Sequence, residues 1–159
     1  MEYTLTESEQ IIATFVAEQR TANNRNAGTT NMRKSEMSDF EIDLQGFAGE
    51  LAFCRMANVF PDLTVHNRSA SKGEDNGDCI LEGLRIDVKT SKKADAALWV
   101  PVRKIGTADA YALMTGEFPT FRLVGLAGVE TVKECKVWND SHVVDQDKLE
   151  SLVMWQVGP

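Results

Sequence analysis

The sequence predicts an α/β fold, because one segment has the pattern of a buried helix and others have the pattern of strands. Residues 44–60 are apolar on nearly every side, which is typical of a helix enclosed by a core. Residues 78–89 predict a β-hairpin with its turn at Glu82 and Gly83. Residues 110–114 and 121–127 predict two more strands, joined by a turn over residues 116–119.

The first predicted element is a helix near the start of the chain, capped by Thr6 or Ser8 ahead of an apolar series at residues 11, 12, 15 and 16. Residues 19–35 follow, and their lack of acidic side chains and wealth of Asn, Thr and Gly favour a loop. The buried helix comes next, capped by Ser38 or Asp39 and ending before Pro61.

Residues 98–102 predict an edge strand, because Pro101 has no amide hydrogen to give to a central ladder. No helix pattern stands out between Thr90 and Ala110. The 159 residues are enough for one domain with a substantial core. We expect an N-terminal helix and basic loop at 1–37, a core at 38–128 and a C-terminal extension at 129–159.

Composition narrows the class of protein. The net charge of −7 counts against a protein whose whole surface binds nucleic acid. The cysteines are widely spaced and form no Cys-x-x-Cys, which predicts reduced, mostly buried thiols, and the histidines form no zinc-ligand spacing. No signal peptide or membrane-spanning run is visible, so we expect a cytoplasmic protein with no membrane partner.

The predicted hairpin brings two carboxylates together. Its turn sets Asp78 opposite Asp87, and the Cβ atoms of opposed residues lie about 4.5–5.5 Å apart. Two adjacent carboxylates repel unless a cation lies between them. This indicates a Mg²⁺ site, with Asp78 and Asp87 as ligands and the carbonyl of Val88 as a third. Lys89 shares a face with Asp87 and would lie beside that site, where it could orient a water for phosphodiester hydrolysis.

The tripeptide Asp-x-Lys alone is weak evidence for a metal site, because Glu134-x-Lys136 repeats the pattern without an opposing carboxylate. The buried helix adds a further acidic residue. Glu50 is the only charged residue between Asp43 and Arg55, and its helical neighbours are apolar. A buried carboxylate needs a partner, so Glu50 either points at the same metal site or is paired with Arg55 or another basic side chain. The helix also contains Gly46 and Gly49, which would let it pack closely against the sheet.

Glu50 on a core helix, then Asp78, then Asp87-x-Lys89 on the next strand resemble the PD-(D/E)xK nuclease superfamily. That superfamily includes restriction endonucleases, Holliday-junction resolvases and phage exonucleases. The resemblance covers residues 44–90 closely and extends to residue 128 as core strands. Gly77 stands where a proline precedes the first aspartate in the superfamily pattern. The Gly-Phe-Ala-Gly-Glu opening and the overall length also resemble small phage-encoded members.

The resemblance implies a restriction endonuclease-like fold, a three-layer core with a mixed central β-sheet flanked by helices. It implies an endo- or exodeoxyribonuclease that uses Mg²⁺ or Mn²⁺, with Asp78 and Asp87 as metal ligands, Glu50 completing the site or orienting the water, and Lys89 as the catalytic lysine. The implied substrate is DNA, in the host cytoplasm if the protein is phage-encoded. Resolvases and many restriction enzymes act as dimers, so the analogy predicts a homodimer.

Two basic segments are candidates for contact with DNA. The first has Arg20, Arg25, Arg33 and Lys34 in the predicted loop, where Arg and Asn suit contacts to phosphates and base edges. The second follows the predicted catalytic strand and includes Lys92 and Lys93, together with residues 103 and 104. The alternative for both is a solvated loop with exposed basic side chains.

Two other functions stay open. A DNA-binding module could keep the fold and lose the chemistry, although all four predicted catalytic residues are present. A structural Ca²⁺-binding accessory protein could use the acidic segment 74–78, but this segment lacks the alternating ligands of an EF-hand loop. Lys89 favours the nuclease, because a calcium site would avoid a lysine.

Overall fold

The computed structural model describes residues 1–26, 37–65 and 77–157. Its longer helices are α1 (Glu7–Asn26) and α2 (Asp39–Ala57), and its shorter ones are α3 (Val129–Glu134) and α4 (Leu152–Gln156). The strands, in chain order, are β1 (Glu2–Thr4), β2 (Cys79–Leu81), β3 (Leu84–Ser91), β4 (Leu98–Pro101), β5 (Ala110–Glu117), β6 (Thr120–Gly128), β7 (Val137–Trp138) and β8 (Ser141–Val144).

The main sheet has five strands in the order β1-β6-β5-β3-β2. β3 and β5 are parallel and every other neighbouring pair is antiparallel, so the sheet is mixed and the predicted α/β class is confirmed. β5 and β6 are the two predicted strands, joined by a tight turn at Phe118 and Pro119. β1 was not predicted, because its alternation extends over only three residues.

The hairpin of β2 and β3 has the predicted turn, and its paired register ends at Cys79 opposite Ile86. One residue before Cys79, the Asp78 amide donates to the Ile86 carbonyl at 2.7 Å. The prediction that Asp78 pairs with Asp87 in the ladder is therefore wrong. The preceding residue, Gly77, has φ +71°, and a Cβ there would lie 2.7 Å from the Ile86 carbonyl oxygen. Glycine is required at this position because the two backbones approach so closely.

α1 is longer than its sequence indicates. The predicted loop at residues 19–35 is wrong from 19 to 26, which are helical, and residues 27–36 lie outside the described part of the chain. Tertiary contacts outweigh the weak helix propensity of Asn and Thr. Thr21 donates to the Asp43 carboxylate at 2.6 Å, and the Asn23 amide donates to the Val65 carbonyl at 2.5 Å. These bonds tie the last turns of α1 to α2 and to the chain that follows it.

α2 begins as predicted at Ser38, which forms a capping box with Glu41. It ends at Ala57, earlier than the predicted residue 60, because Asn58 adopts a left-handed conformation with φ 55° and closes the helix. A Cβ at Gly49 would collide with the Thr90 side chain on β3, so the predicted close approach of helix and sheet is confirmed there.

The main sheet has an apolar cluster on each face. α1 and α2 cover one face, where Phe47, Phe53 and Phe121 are almost fully buried. A three-stranded sheet, β4-β8-β7, covers the other face with α3, and Leu98, Tyr111 and Val144 are buried there. Side chains alternate along β3, so successive residues of that strand point to different clusters.

β4 is an edge strand of the small sheet, as Pro101 predicted. Between β4 and β5 the chain forms a short 3-10 helix, Val102–Lys104, in place of a longer helix. The C-terminal residues pack on the core, because β8 pairs with β4 and Leu152 joins the helix-side cluster. Within the described ranges no helix has the length and apolar character that crossing a membrane requires.

Candidate active site

A polar pocket lies where the edge of β3 becomes uncovered. β2 pairs with β3 only as far as Ile86, so the edge of β3 beyond that residue has no strand beside it from the hairpin. The pocket has a volume of about 160 Å³. The side chains and backbone that line it are Glu50, Gly77, Asp78, Asp87, Val88, Lys89 and Lys104. The structure therefore brings the four predicted catalytic residues to one place.

Asp78 closes the end of the hairpin with its side chain. Its Oδ2 accepts a hydrogen bond from the Val88 amide at 2.7 Å, and the residue is 5% exposed. The carboxylate thus occupies the place of a missing ladder partner on the edge of β3. The amide and carbonyl of one residue in an extended strand point to the same side. The Val88 carbonyl, the predicted third metal ligand, therefore faces the same edge.

Asp87 and Lys89 lie on one face of β3, as the alternation predicted. Their side chains form an ion pair, with Lys89 Nζ 2.5 Å from Asp87 Oδ1. The Asp87 side chain is 11% exposed and that of Lys89 is 30% exposed, so the ammonium is the more open of the two. Lys89 can therefore meet a ligand in the pocket while it still balances the charge of Asp87.

Glu50 reaches the pocket from the opposite face of the sheet, because α2 carries it. Its side chain is 13% exposed and pairs with Arg20, whose Nη1 lies 3.3 Å from Glu50 Oε2. The predicted pairing of Glu50 with a basic side chain is confirmed, and Glu50 also lines the carboxylate pocket, whereas its role at a metal site stays a prediction. The basic side chain is Arg20 of α1, because Arg55 pairs with Glu9 at 2.7 Å.

Arg20 connects three parts of the site. Besides Glu50, it donates to the carbonyls of Asp62 and Thr64, at 3.0 and 3.1 Å, and its guanidinium lies 4.7 Å from the centre of the Phe47 ring. The Asp62 amide in turn donates to the carbonyl of Asp78 at 2.9 Å. Arg20 was predicted as a DNA contact, and the structure places it inside this network with its side chain 15% exposed.

The other predicted DNA contacts lie outside the pocket. Arg25 is exposed in the last turn of α1, and Lys93 is exposed just after β3. Lys92 is 43% exposed and lies 3.8 Å from the Glu117 carboxylate. Arg33 and Lys34 lie outside the described residues.

Lys104 is a pocket residue that was not among the predicted site residues. It is the last residue of the 3-10 helix that follows β4 and lies in the layer opposite α2. The sequence indicated only that Lys104 belongs to the second basic segment, which follows the predicted catalytic strand. No local spacing relates Lys104 to Asp87, because the intervening chain passes through another sheet before it returns.

The pocket donors suit a hard divalent cation. The carboxylates of Glu50, Asp78 and Asp87 and the Val88 carbonyl offer oxygen, the ligand that Mg²⁺ and Mn²⁺ prefer. Across residues 1–26, 37–65 and 77–157, no three His, Cys, Asp or Glu side chains form a ready-made metal-binding group. Mg²⁺ is usually bound by only one or two carboxylates with waters, so the donor set fits that ion in its chemistry.

A second, larger pocket of about 630 Å³ contains none of the predicted site residues. It lies along the outer face of α1 and is lined by Glu7, Gln10, Ile11, Thr14, Phe15, Glu18 and Phe118. Its lining offers no paired carboxylates beside a lysine. The smaller pocket at β3 is the better candidate for chemistry.

Comparison with known proteins gives one relationship. Residues 1–117 match DUF5843, described as a family of unknown function. No curated protein matches the chain, and no solved structure matches it. The matched residues include α1, α2, the hairpin and β5, and so every residue that lines the carboxylate pocket. The match spans well over half of the sequence, and the chain belongs to the DUF5843 family.

Proposed function

We propose that this protein is a metal-dependent nuclease that hydrolyses phosphodiester bonds of DNA. The observation that carries the proposal is the convergence of Glu50, Asp78, Asp87 and Lys89 on one polar pocket. These residues come from a helix on one face of the sheet, the entry to a hairpin and the other face of β3. A fold needs no such concentration of acidic groups at a partly open edge, whereas a cation site does.

Asp78, Asp87 and the Val88 carbonyl would hold Mg²⁺ or Mn²⁺, and Glu50 would complete the site or orient the water. The cation would supply charge stabilisation at the attacked phosphate and ease deprotonation of a water. Lys89 orients the attacking water or offsets the negative charge that develops on the phosphate. The Val88 amide fixes the orientation of Asp78, and Arg20 fixes that of Glu50.

The architecture supports a restriction endonuclease-like core of the PD-(D/E)xK type. A mixed sheet has α2 on one face, and the Asp-x-Lys strand is parallel to β5 at its centre. The layer opposite α2 is a second small sheet with the short helix α3, in place of the helices that the resemblance implies on both sides. DNA as the partner, a homodimeric assembly and action in the cytoplasm stay predictions.

Cleavage of labelled DNAs tests the proposal. The panel comprises linear duplex, single strand, nicked circle, flap and four-way junction, each incubated with Mg²⁺ or Mn²⁺. We expect wild type to cleave at least one of them, and Asp87→Asn and Lys89→Met to abolish cleavage while the variants stay folded. The matched controls are Glu134→Gln and Lys136→Met, which remove the same charges from the second, exposed copy of the tripeptide.

The control variants should cleave like wild type. If wild type cleaves no DNA in either metal, the nuclease proposal is wrong. Retained binding of DNA would then indicate a non-catalytic binding module, and stabilisation by Ca²⁺ without DNA binding would indicate a structural calcium site.

A further inference from the structure

The carboxylate pocket contains a second lysine that the proposed chemistry does not use. Lys104 lines it together with Lys89, but reaches it from the 3-10 helix Val102–Lys104 and not from β3. The two lysines therefore reach the pocket from different elements. A lysine brought to an acidic pocket from a separate layer of the fold requires a physical explanation.

The backbone of Lys104 is firmly held. Its carbonyl accepts hydrogen bonds from the Tyr111 hydroxyl at 2.8 Å, from Thr107 Oγ1 at 2.8 Å and from the Thr107 amide at 3.2 Å. Tyr111 is fully buried, and its hydroxyl also accepts from the Gly106 amide at 3.2 Å. Lys104 thus lines the pocket from a backbone that is fixed in place.

The charges of the pocket suggest what Lys104 contacts. Three carboxylates and two lysines line it, so its formal charge is −1 with every group ionised, and one divalent cation would change that to +1. Once the carboxylates hold a cation, Lys104 adds positive charge on the side of the pocket opposite α2. An anionic substrate bound at the pocket would be attracted by both the cation and Lys104.

We propose that Lys104 is a phosphate-binding residue, whose ammonium contacts a backbone phosphate of the DNA strand bound at the carboxylate pocket. The inference rests on the proposed nuclease function and assigns part of its substrate recognition. A lysine ammonium is a compact point charge with three donors, and it suits a phosphate whose exact orientation varies with sequence. Its role is substrate positioning, and Lys89 keeps the role beside the nucleophile.

Binding of a fluorescein-labelled DNA, chosen from the panel as the one that wild type cleaves, tests the inference. Cleavage is suppressed by Lys89→Met, which leaves the pocket carboxylates in place, and Lys104→Met is added to that variant. In Mg²⁺ we expect fluorescence anisotropy to show about tenfold weaker binding, as for one lost charge-assisted hydrogen bond. The slope of log Kobs against log salt should become shallower by about 0.9, the change for one lost phosphate contact.

Three comparisons make the test specific. Lys136→Met in the same Lys89→Met protein removes an equal charge from an exposed site outside the pocket, and should alter neither affinity nor slope. Lys104→Arg keeps the charge and should recover most of the slope. In the otherwise wild-type enzyme, Lys104→Met should raise KM for the DNA with kcat little changed, which general destabilisation would not do. Thermal melts establish that each variant is folded.

The outcomes separate the two proposals. If wild type cleaves DNA while Lys104→Met leaves affinity, salt slope and KM like those of Lys136→Met, the inference for Lys104 is wrong and the nuclease proposal stands. The inference is equally wrong if Lys104→Met changes only kcat. If wild type cleaves no DNA of the panel, the nuclease proposal fails, and the role of Lys104 in binding its substrate fails with it.

Discussion

Replacing Gly49 with alanine should destabilise the protein, although alanine is the better helix former. Gly49 lies in the middle of α2, where the helix meets β3 beside the carboxylate pocket. A Cβ added there would collide with Thr90 Oγ1, and would lie 2.9 Å from Thr90 Cγ2 and 3.0 Å from Thr90 Cβ. Because the obstacle includes the branch point of the side chain, a rotamer change at Thr90 leaves part of it in place.

Two opposing contributions set the change in unfolding free energy that Gly49→Ala causes. Overpacking of a well-packed contact costs about 1–3 kcal/mol. Exchange of a mid-helix glycine for alanine returns about 0.5–1 kcal/mol. The middle values of the two ranges leave a net loss of about 1 kcal/mol, which lowers Tm by about 2–4 °C in a protein of 150–250 residues. Gly46 lies three positions earlier in the same helix, and a Cβ there meets nothing within 4 Å. Gly46→Ala should therefore raise Tm by about 1–4 °C.

Thermal melts followed by circular dichroism at 222 nm measure the Tm of the Gly49→Ala and Gly46→Ala variants. Thr90→Ala in the Gly49→Ala protein removes Oγ1 and Cγ2 and should recover part of the loss, with a coupling of about 0.5–3 kcal/mol between the sites. Thr90 Oγ1 is buried with no hydrogen-bond partner, so its removal alone should cost little. A Gly49→Ala protein as stable as Gly46→Ala would refute the reasoning, and a loss that Thr90→Ala leaves unchanged would place its cause elsewhere.

Three further predictions concern a cap, an ion pair and a thiol. Ser38→Ala should lower the unfolding free energy by about 1 kcal/mol in urea titrations, whereas Ser38→Asp should lose little; equal losses would contradict the capping box. Hydrogen bonds from Arg85 hold the pKa of Asp109 below its usual value. The ionised carboxylate therefore contributes stability above the usual carboxyl pKa, and this is lost as pH falls through the folded pKa. Arg85→Met should raise that pKa in an NMR titration; an unchanged value would contradict the pairing. The hydrogen bond with Cys79, and then burial, raise the pKa of the Cys54 thiol, so DTNB at pH 8 should modify it only after unfolding. Rapid reaction in the native protein would show that the thiol is accessible.

Some of the fold is readable from local sequence. The hairpin register follows from a two-residue turn and the alternation of side chains around it, both of which act over a few residues. The N-terminus of α2 could also be predicted from local sequence, since Ser38 and Glu41 satisfy amides of the first turn. The length of α1 could not be predicted in this way, because Thr21 and Asn23 are held helical by Asp43 and Val65, which are distant in sequence.

The exact position of Asp78 shows where local reasoning ends. Alternation predicted that Asp78 would sit opposite Asp87, whereas its amide binds Ile86 and its carboxylate binds Val88. The positive φ of Gly77 turns the entering chain at this point. The carboxylate still reaches the edge of β3, but by capping the strand and not by continuing the ladder.

The sequence by itself determined the α/β class, the hairpin and the identities of four residues now found in one pocket, because these depend on side-chain periodicity and turn chemistry within short segments. Only the tertiary structure decided the partners of those residues. Arg20 meets Glu50 across 30 positions of sequence, and Lys104 reaches the pocket after the chain has passed through a second sheet. Such contacts depend on how helices and sheets pack, and a local sequence pattern cannot predict which distant residues that packing brings together.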